Sequence, residues 1–240
     1  MENPFNSFDL WAGLFGGLAL FLFGMDVMTK ALKSAAGDYM KDILSRLTKN
    51  RFVGLGIGAL VTAVIQSSSV TTVIQVGFIT AGLMTMAQSV AVIIGANIGT
   101  TITAQILAFK VTKLSLPFIA GGFLLAFTAK SNSWKQAGNI VMGLGLVFFG
   151  MSIMSGALNP LRTYEPFIDF MISLQNPLMG AAVGAAFTAV VQSSSATTGI
   201  LIVIASQGLI SLESAIAIAL GANIGTCITA GLASVSYTHL

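Results

Sequence analysis

Charged side chains are scarce in this chain. Asp, Glu, Lys and Arg make up 8% of the 240 residues, while hydrophobic residues make up 55%. A soluble domain carries about 25% charged residues, so this composition excludes a water-facing surface over most of the chain. No charge occurs from Phe52 to Phe109 or from Phe170 to Leu212, and each gap exceeds the roughly 20 residues that span a bilayer. We therefore predict an all-α integral membrane protein in contact with the lipid bilayer.

The chain also has only one cysteine and one histidine. A single cysteine, Cys227, excludes an intrachain disulfide, and His239 has no neighbouring metal ligands, so we interpret it as a residue of the C-terminal tail. Six of the 11 basic residues fall between Lys30 and Arg51, without the interleaved aromatic residues that are typical of a nucleic-acid surface. We read them as a topology signal and expect no nucleic-acid partner.

An internal repeat is present, because three blocks recur at a constant displacement of 126 residues. Residues 23–32 share six identities with 149–158, residues 62–72 share nine of eleven with 188–198, and residues 95–104 share nine of ten with 221–230. A single duplication explains all three.

The repeat divides the chain into five predicted parts: an N-terminal segment (1–10), a first transmembrane repeat (11–108), a joining region (109–136), a second transmembrane repeat (137–234) and a C-terminal tail (235–240). Trp11–Thr29 and Gly138–Leu158 are predicted to be the first helix of each repeat. Their glycines favour close helix–helix packing.

Each repeat next contains an apolar run that is too long for one ordinary span and too short for two. Phe52–Gly82 has Gln66–Ser69 at its middle, and Leu178–Gly208 has Gln192–Ser195. We predict a broken or re-entrant helical hairpin in each, which a membrane tolerates only where the backbone is buried in protein or lines a wet cavity.

The last helix of each repeat is expected at Ala87–Phe109 and Leu212–Val235. Two glycines flank Asn97, and two flank Asn223, so we expect a local break within each of these helices.

The two repeats are predicted to have inverted topology. The joining region contains an apolar stretch, Leu114–Ala129, and a helix that crosses the membrane there would start the second repeat from the opposite side. The segment after the first helix has six basic residues, but its counterpart Asn159–Pro177 has Arg162 with Glu165 and Asp169. The first segment should be cytoplasmic and the second external.

The polar residues of the repeats form the candidate binding site. Inverted repeats with broken helices are an architecture of secondary transporters, which bind their substrate near the bilayer midplane. Hydroxyl groups and free N–H groups at a helix start can bind an oxyanion. Amide and hydroxyl oxygens suit an alkali cation, so sodium is expected at Gln66, Asn97, Gln192 and Asn223. The full predicted set is Gln66, Ser67, Ser68, Ser69, Thr71, Thr72, Asn97, Thr100, Gln192, Ser193, Ser194, Ser195, Thr197, Thr198, Asn223 and Thr226.

Each of these residues also has a structural explanation. Serine, threonine and glutamine in membrane helices often bond across helices or to their own backbone, and the asparagines could cap a helix at a kink. Glutamine with three hydroxyls, found twice, favours a binding site, because packing alone requires only small residues. Asp26 and Lys30 are four residues apart, so we expect an ion pair rather than an ion ligand.

The paired Gln-Ser-Ser-Ser blocks, each followed by Gly-Ala-Asn-Ile-Gly-Thr, resemble the type II sodium/phosphate cotransporter family over nearly the whole chain. The resemblance implies symport of inorganic phosphate with sodium as the coupling ion, no other cofactor, and a central site at Gln66–Ser69 and Gln192–Ser195. It implies a multi-pass protein of the plasma (inner) membrane, which is compatible with a homo-oligomer. Bacterial members continue into further helices and a cytosolic helical domain, so this chain is expected to be a fragment or to have an altered terminus.

Two other functions remain as alternatives. The same polar segments could line a channel or an uncoupled ion pathway, which would not show saturable uptake driven by a sodium gradient. An intramembrane serine hydrolase would need a general base near one serine, but neither serine-containing segment has a histidine, lysine, aspartate or glutamate. We therefore predict a transporter and not an enzyme.

The charge asymmetry generates the first testable prediction. A short epitope tag inserted near Lys41 should be cytoplasmic, and one near Tyr164 should be external, because basic segments are retained on the cytoplasmic side. Accessibility of each tag to antibody in intact and permeabilised cells measures this. Two tags on the same side would contradict inverted repeats.

Overall fold

The computed structural model describes residues 7–36, 50–108 and 114–238. Within these ranges the chain forms ten α-helices, a short 3-10 turn at Asn159–Thr163, and no strand. The helices are α1 (Ser7–Ala36), α2 (Arg51–Ile65), α3 (Ser68–Thr80), α4 (Met86–Ala108), α5 (Ser115–Thr128), α6 (Asn132–Ala157), α7 (Glu165–Ser173), α8 (Pro177–Val191), α9 (Ser194–Ser206) and α10 (Leu212–Thr238). The predicted all-α class is confirmed.

Three helical segments are long and apolar enough to cross a membrane. They are Phe8–Ala35, Met86–Ala108 and Asn132–Thr163. A fourth arises if Glu165–Ser173 and Pro177–Val191, which meet at an angle of 104°, are counted as one bent span. These segments are typical of a membrane protein.

Helices α1 and α6, which begin the two repeats, pack against each other at their glycines. A Cβ added at Gly17 would lie 2.8 Å from the Gly150 carbonyl oxygen, and one at Gly24 would lie 2.7 Å from the Gly143 carbonyl oxygen. Residues further along α1 contact residues earlier in α6, so the two helices are antiparallel. Phe21 and Phe148 are both fully buried in the cluster around this contact.

Helices α2 and α4 pack just as closely in the first repeat, and their counterparts α8 and α10 pack in the same way in the second. In the first repeat, a Cβ at Gly95 of α4 would collide with the Leu55 carbonyl of α2. In the second, a Cβ at Gly221 of α10 would collide with the Ala181 carbonyl of α8. Residues further along one helix contact residues further along the other, so the two helices of each pair are parallel.

The predicted breaks at Asn97 and Asn223 are wrong. Helix α4 runs without interruption from Met86 to Ala108, and α10 runs from Leu212 to Thr238. The flanking glycines instead remove side chains where α4 and α10 touch α2 and α8, which is a common use of small residues between membrane helices. Because both helices are continuous, neither asparagine caps a kink.

The joining region contains the predicted helix as α5, with 14 residues. Its length of about 21 Å is less than the hydrocarbon thickness of about 30 Å. It packs antiparallel on α6, where a Cβ at Gly145 would lie 2.8 Å from the Ser115 carbonyl oxygen. Helix α7 was not predicted from the sequence, and it occupies the segment that we expected to be an external connection.

Some sequence-based predictions fall outside the described residues. These concern the basic residues Lys41, Arg46 and Lys49, the first six residues, and His239.

Asp26 and Lys30 do form the predicted ion pair, with 2.7 Å between Oδ2 and Nζ. Both side chains are largely exposed, so the pair adds little stability.

The close glycine contacts generate a stability prediction. Gly95→Ala should lower the free energy of unfolding by about 1–3 kcal/mol, because the new methyl group meets the Leu55 carbonyl oxygen and forces α2 and α4 apart. The matched control is Gly56→Ala on α2, where a Cβ would have no neighbour within 4 Å. Thermal unfolding in detergent should show a lower midpoint for Gly95→Ala alone. Equal midpoints would contradict the packing described here.

Candidate functional site

The candidate site begins at the two helix breaks, which have the same backbone conformation. Gln66 ends α2 with φ 58° and ψ 25°, and Gln192 ends α8 with φ 57° and ψ 24°. They are the only non-glycine residues with positive φ in the described part of the chain. A side chain in this left-handed region costs about 1–2 kcal/mol, so the repeated strain indicates that the breaks are specified by the sequence.

A serine then starts the next helix in each repeat. Ser67 has extended backbone angles, and its hydroxyl oxygen accepts a hydrogen bond from the Val70 N–H at 3.3 Å. Ser193 does the same for the Ala196 N–H at 3.2 Å. These serines are N-caps, so one hydroxyl of each serine run is used to start α3 or α9.

Two buried threonines join the helices across each break. The Oγ1 atoms of Thr62 and Thr71 are 3.0 Å apart, and those of Thr188 and Thr197 are 2.7 Å apart. Residues separated by nine positions in a continuous helix would lie about 13.5 Å apart along its axis. The chain therefore folds back at each break, which confirms the broken helical hairpin that the sequence predicts.

The glutamine side chains also bond within the protein. The Gln66 amide nitrogen donates to the Ala63 carbonyl, and its Oε1 accepts from the Thr103 hydroxyl of α4. Gln192 donates to the Ala189 carbonyl in the same way. The environments differ, because Gln66 is buried, with 7% of its surface exposed, whereas Gln192 is exposed.

The threonines of the site bond to their own helices. Thr71 and Thr72 donate to the carbonyls of Ser67 and Ser68, four residues earlier, at 3.2 and 2.9 Å. The second-repeat counterparts Thr197 and Thr198 do the same at 3.2 and 2.8 Å. On α4 and α10, Thr100 and Thr226 donate to carbonyls one turn earlier. These threonine hydroxyls therefore bond to the backbone of their own helices, which is the structural explanation that the sequence also allowed for them.

Four serine hydroxyls remain without a hydrogen-bond partner among the described residues: those of Ser68, Ser69, Ser194 and Ser195. Ser68, Ser194 and Ser195 are buried, with 6–9% of their surface exposed. All four lie in the first turn of α3 or α9, where backbone N–H groups also have no intrahelical acceptor. Each hairpin therefore presents two unused hydroxyls beside the positive end of a helix dipole.

Asn97 and Asn223 are exposed on α4 and α10. Their side-chain amides have no hydrogen bond within residues 7–36, 50–108 and 114–238. Cys227 is also exposed, one turn beyond Asn223, and its thiol lies 3.6 Å from the Asn223 carbonyl oxygen.

The two repeats meet through these elements. Helix α3 of the first repeat packs against α10 of the second, and α9 of the second packs against α4 of the first. Each helix that starts at a serine run therefore touches the helix of the other repeat that contains the asparagine. The two serine runs share no hydrogen bond with each other in the described ranges.

The site includes residues that the sequence-based set omitted. Thr62, Thr188 and Thr103 lie within the repeated blocks, so their repetition was a usable signal. In the described ranges there is no cluster of three or more histidine, cysteine, aspartate or glutamate side chains that could hold a metal ion. The arrangement therefore offers uncharged donors and oxygen ligands rather than a base or a transition-metal centre.

Broken helices inside apolar, charge-free segments are typical of secondary transporters. The sequence model of the family described as Na+/Pi-cotransporter matches residues 20–156 and 168–240. The chain belongs to this family, and it is a transport protein and not an enzyme.

Several relatives are similar over much of the chain. "Uncharacterized protein YqeW" of Bacillus subtilis is 34% identical over 91% of this chain and 71% of its own length. "Putative inorganic phosphate export protein YjbB" of Escherichia coli (strain K12) is 28% identical over 91% of this chain, which spans only 40% of that protein. "Sodium-dependent phosphate transport protein 2A" of Rattus norvegicus is 38% identical over 40% of this chain and 15% of its own length. No solved structure matches the chain significantly.

The threonine pair at the first break generates a prediction about stability. Thr71→Val should destabilise the protein by about 1–3 kcal/mol, because it leaves the buried Thr62 hydroxyl without a partner. Thr62→Val should cost less, because the Thr71 hydroxyl still donates to the Ser67 carbonyl. The double variant should lose less than the sum of the two, since neither hydroxyl then remains. Thermal unfolding midpoints give the comparison. Strictly additive losses would show that the two hydroxyls do not interact.

Proposed function

We propose that this chain transports inorganic phosphate by sodium-coupled symport and alternating access, as a multi-pass protein of the plasma (inner) membrane. The observation that carries the proposal is the set of four unpartnered hydroxyls, Ser68, Ser69, Ser194 and Ser195, at the starts of α3 and α9. Family membership and the names of the Rattus norvegicus and Escherichia coli relatives support phosphate as the substrate.

Phosphate would be bound by donors alone. Serine hydroxyls and the N–H groups of the first turn of α3 and α9 all donate hydrogen bonds, and both helix dipoles favour negative charge there. No lysine or arginine occurs from Phe52 to Gly82 or from Leu178 to Gly208, so these segments supply no positive side chain to the anion. Bound sodium would supply the positive charge, which gives a physical reason for coupling the two species.

Sodium would be held by amide and hydroxyl oxygens. Of the four proposed ligands, Asn97 and Asn223 have side-chain amides that are not used elsewhere, whereas Oε1 of Gln66 already accepts from Thr103. Oε1 of Gln66 has one further lone pair with which it could bind sodium. Asn97 and Asn223 are therefore the stronger candidates, and Gln66 and Gln192 act in the proposal as supports of the hairpin breaks as well as ligands.

Alternating access would follow from inverted repeats. We propose that residues 11–108 and 137–234 are two copies related by inversion across the membrane. The antiparallel contact of α1 with α6 supports this, because these helices are equivalent by the displacement of 126 residues. The packing of each serine-bearing helix on the other repeat supports a shared site between the two copies, which rocking of one copy would expose to either side.

Coupling separates this function from a channel or an uncoupled pathway. In a symporter, the direction of phosphate movement follows the combined gradients, so the same protein could import or export phosphate. A channel would pass phosphate without requiring sodium and without saturation.

The test is uptake of radiolabelled phosphate into proteoliposomes with and without an inward sodium gradient. We expect saturable uptake that requires sodium. Ser68→Ala and Ser194→Ala should each reduce it about tenfold or more, because each removes a hydrogen bond to a charged ligand worth about 1.5–3 kcal/mol. Ser173→Ala on α7, whose hydroxyl bonds to the Phe170 carbonyl, is the control and should transport normally.

Two results would contradict the proposal. Equal uptake with sodium and with choline would show that transport is not coupled to sodium. Unreduced uptake in the Ser68→Ala, Ser194→Ala double variant would show that these serines do not bind phosphate. Reconstituted protein should be quantified in every preparation, so that loss of uptake is not confused with loss of protein.

A further inference from the structure

Gln75 on α3 has a buried side chain with no hydrogen bond to any described residue. Only 1% of its surface is exposed, and both Oε1 and Nε2 lack a partner. These two amide atoms are the only fully buried side-chain nitrogen or oxygen atoms without a partner in the described ranges, since the unpartnered serine hydroxyls of the candidate site are not fully enclosed. Leaving a buried polar group unpaired is costly, so an amide with both ends unpaired calls for a ligand that the protein itself does not supply.

The position of Gln75 connects it to the candidate site. The buried residues of α3 are Ser68, Thr71 and Gln75, which are spaced by three and four positions and therefore lie on one face of the helix. Gln75 is two turns, or about 10.5 Å, from Ser68 along the axis. The polar face that begins at the serine run thus continues into the protein interior.

The second repeat lacks this feature. The equivalent residues of α9 are Ser194, Thr197 and Leu201, so the third position is apolar. Leu201 packs in a hydrophobic cluster with Leu174 and Ile218. The extended polar face therefore exists in the first repeat alone.

The chemistry of the amide selects the ligand. A cation such as sodium would bind Oε1 and leave Nε2 unpaired, and chloride would accept from Nε2 and leave Oε1 unpaired. Hydrogen phosphate can both donate and accept, but it would bring a negative charge to a buried neutral side chain. Water both donates and accepts, so it satisfies both atoms. Buried waters typically make about three hydrogen bonds to polar groups that would otherwise be unsatisfied.

We propose that Gln75 binds ordered water inside the first repeat, so that the buried face of α3 is hydrated beyond the serine run while the face of α9 is dry. This site does not depend on the proposed transport function, and it makes the two hairpins chemically unequal. The water would belong to the protein and not to the phosphate or sodium ligand set.

The test is an experimental structure of the protein in lipid nanodiscs at a resolution that shows ordered water, determined once in sodium chloride and once in choline chloride. We expect density about 2.7–3.2 Å from Oε1 and from Nε2 of Gln75 in both salts. Gln75→Leu, which introduces the residue of the second repeat, should remove that density. If Gln75→Leu does not fold, Gln75→Met keeps the side-chain length and serves the same purpose.

Two outcomes would overturn the proposal. Density that appears in sodium chloride and is lost in choline chloride would identify a cation site. No density in either salt, with the amide still buried and unpaired, would show that the site is dry. Neither result bears on phosphate uptake, so the proposal can fail while the proposed function stands.

Discussion

The fold depends on one constraint: a helix that breaks inside an apolar protein must satisfy its freed backbone groups from its own chain, because lipid offers no partners. Each repeat meets this constraint with the same local bonds. The N–H of Gln66 donates to the Thr62 carbonyl at 2.7 Å, the Ser67 hydroxyl caps α3, and Thr62 meets Thr71 across the break. These bonds do not use the hydroxyls of the next two serines of each run, which are Ser68 and Ser69 in the first repeat and Ser194 and Ser195 in the second. The candidate site therefore consists of the donors that the hairpin does not need for its own stability.

The second repeat shows that the hairpin and its surroundings are separable. Its break repeats the angles of the first within a few degrees, yet its neighbours differ. Arg162 donates to Gln207 just after α9, and Gln207 donates to Ser155 of α6. The equivalent positions in the first repeat are Ala36, Ala81 and Thr29, which cannot form this network. The first repeat in turn has Gln75, where the second repeat has Leu201. The duplication therefore preserves the break while each copy has its own polar residues around it.

The helices and hairpins could be predicted from the sequence because charge-free runs and the repeated polar blocks record constraints that act locally. The Gly-Ala-Asn-Ile-Gly-Thr block was misread for a physical reason. Two glycines favour either a break or close contact with another helix, and only the position of α2 against Gly95 decides between them. Likewise, the sequence does not distinguish Thr71, whose hydroxyl is bonded twice, from Ser68, whose hydroxyl is unused. Such differences depend on which atoms meet across the break.

In the proposed mechanism the two serine runs together form one anion site. The most direct measurement is equilibrium binding of radiolabelled phosphate to the purified protein in sodium, with stoichiometry determined per chain. We expect one phosphate per chain, and we expect alanine at both Ser68 and Ser69 to abolish binding as completely as alanine at both Ser194 and Ser195. Two phosphates per chain, or half of the binding remaining after either pair of substitutions, would contradict this mechanism.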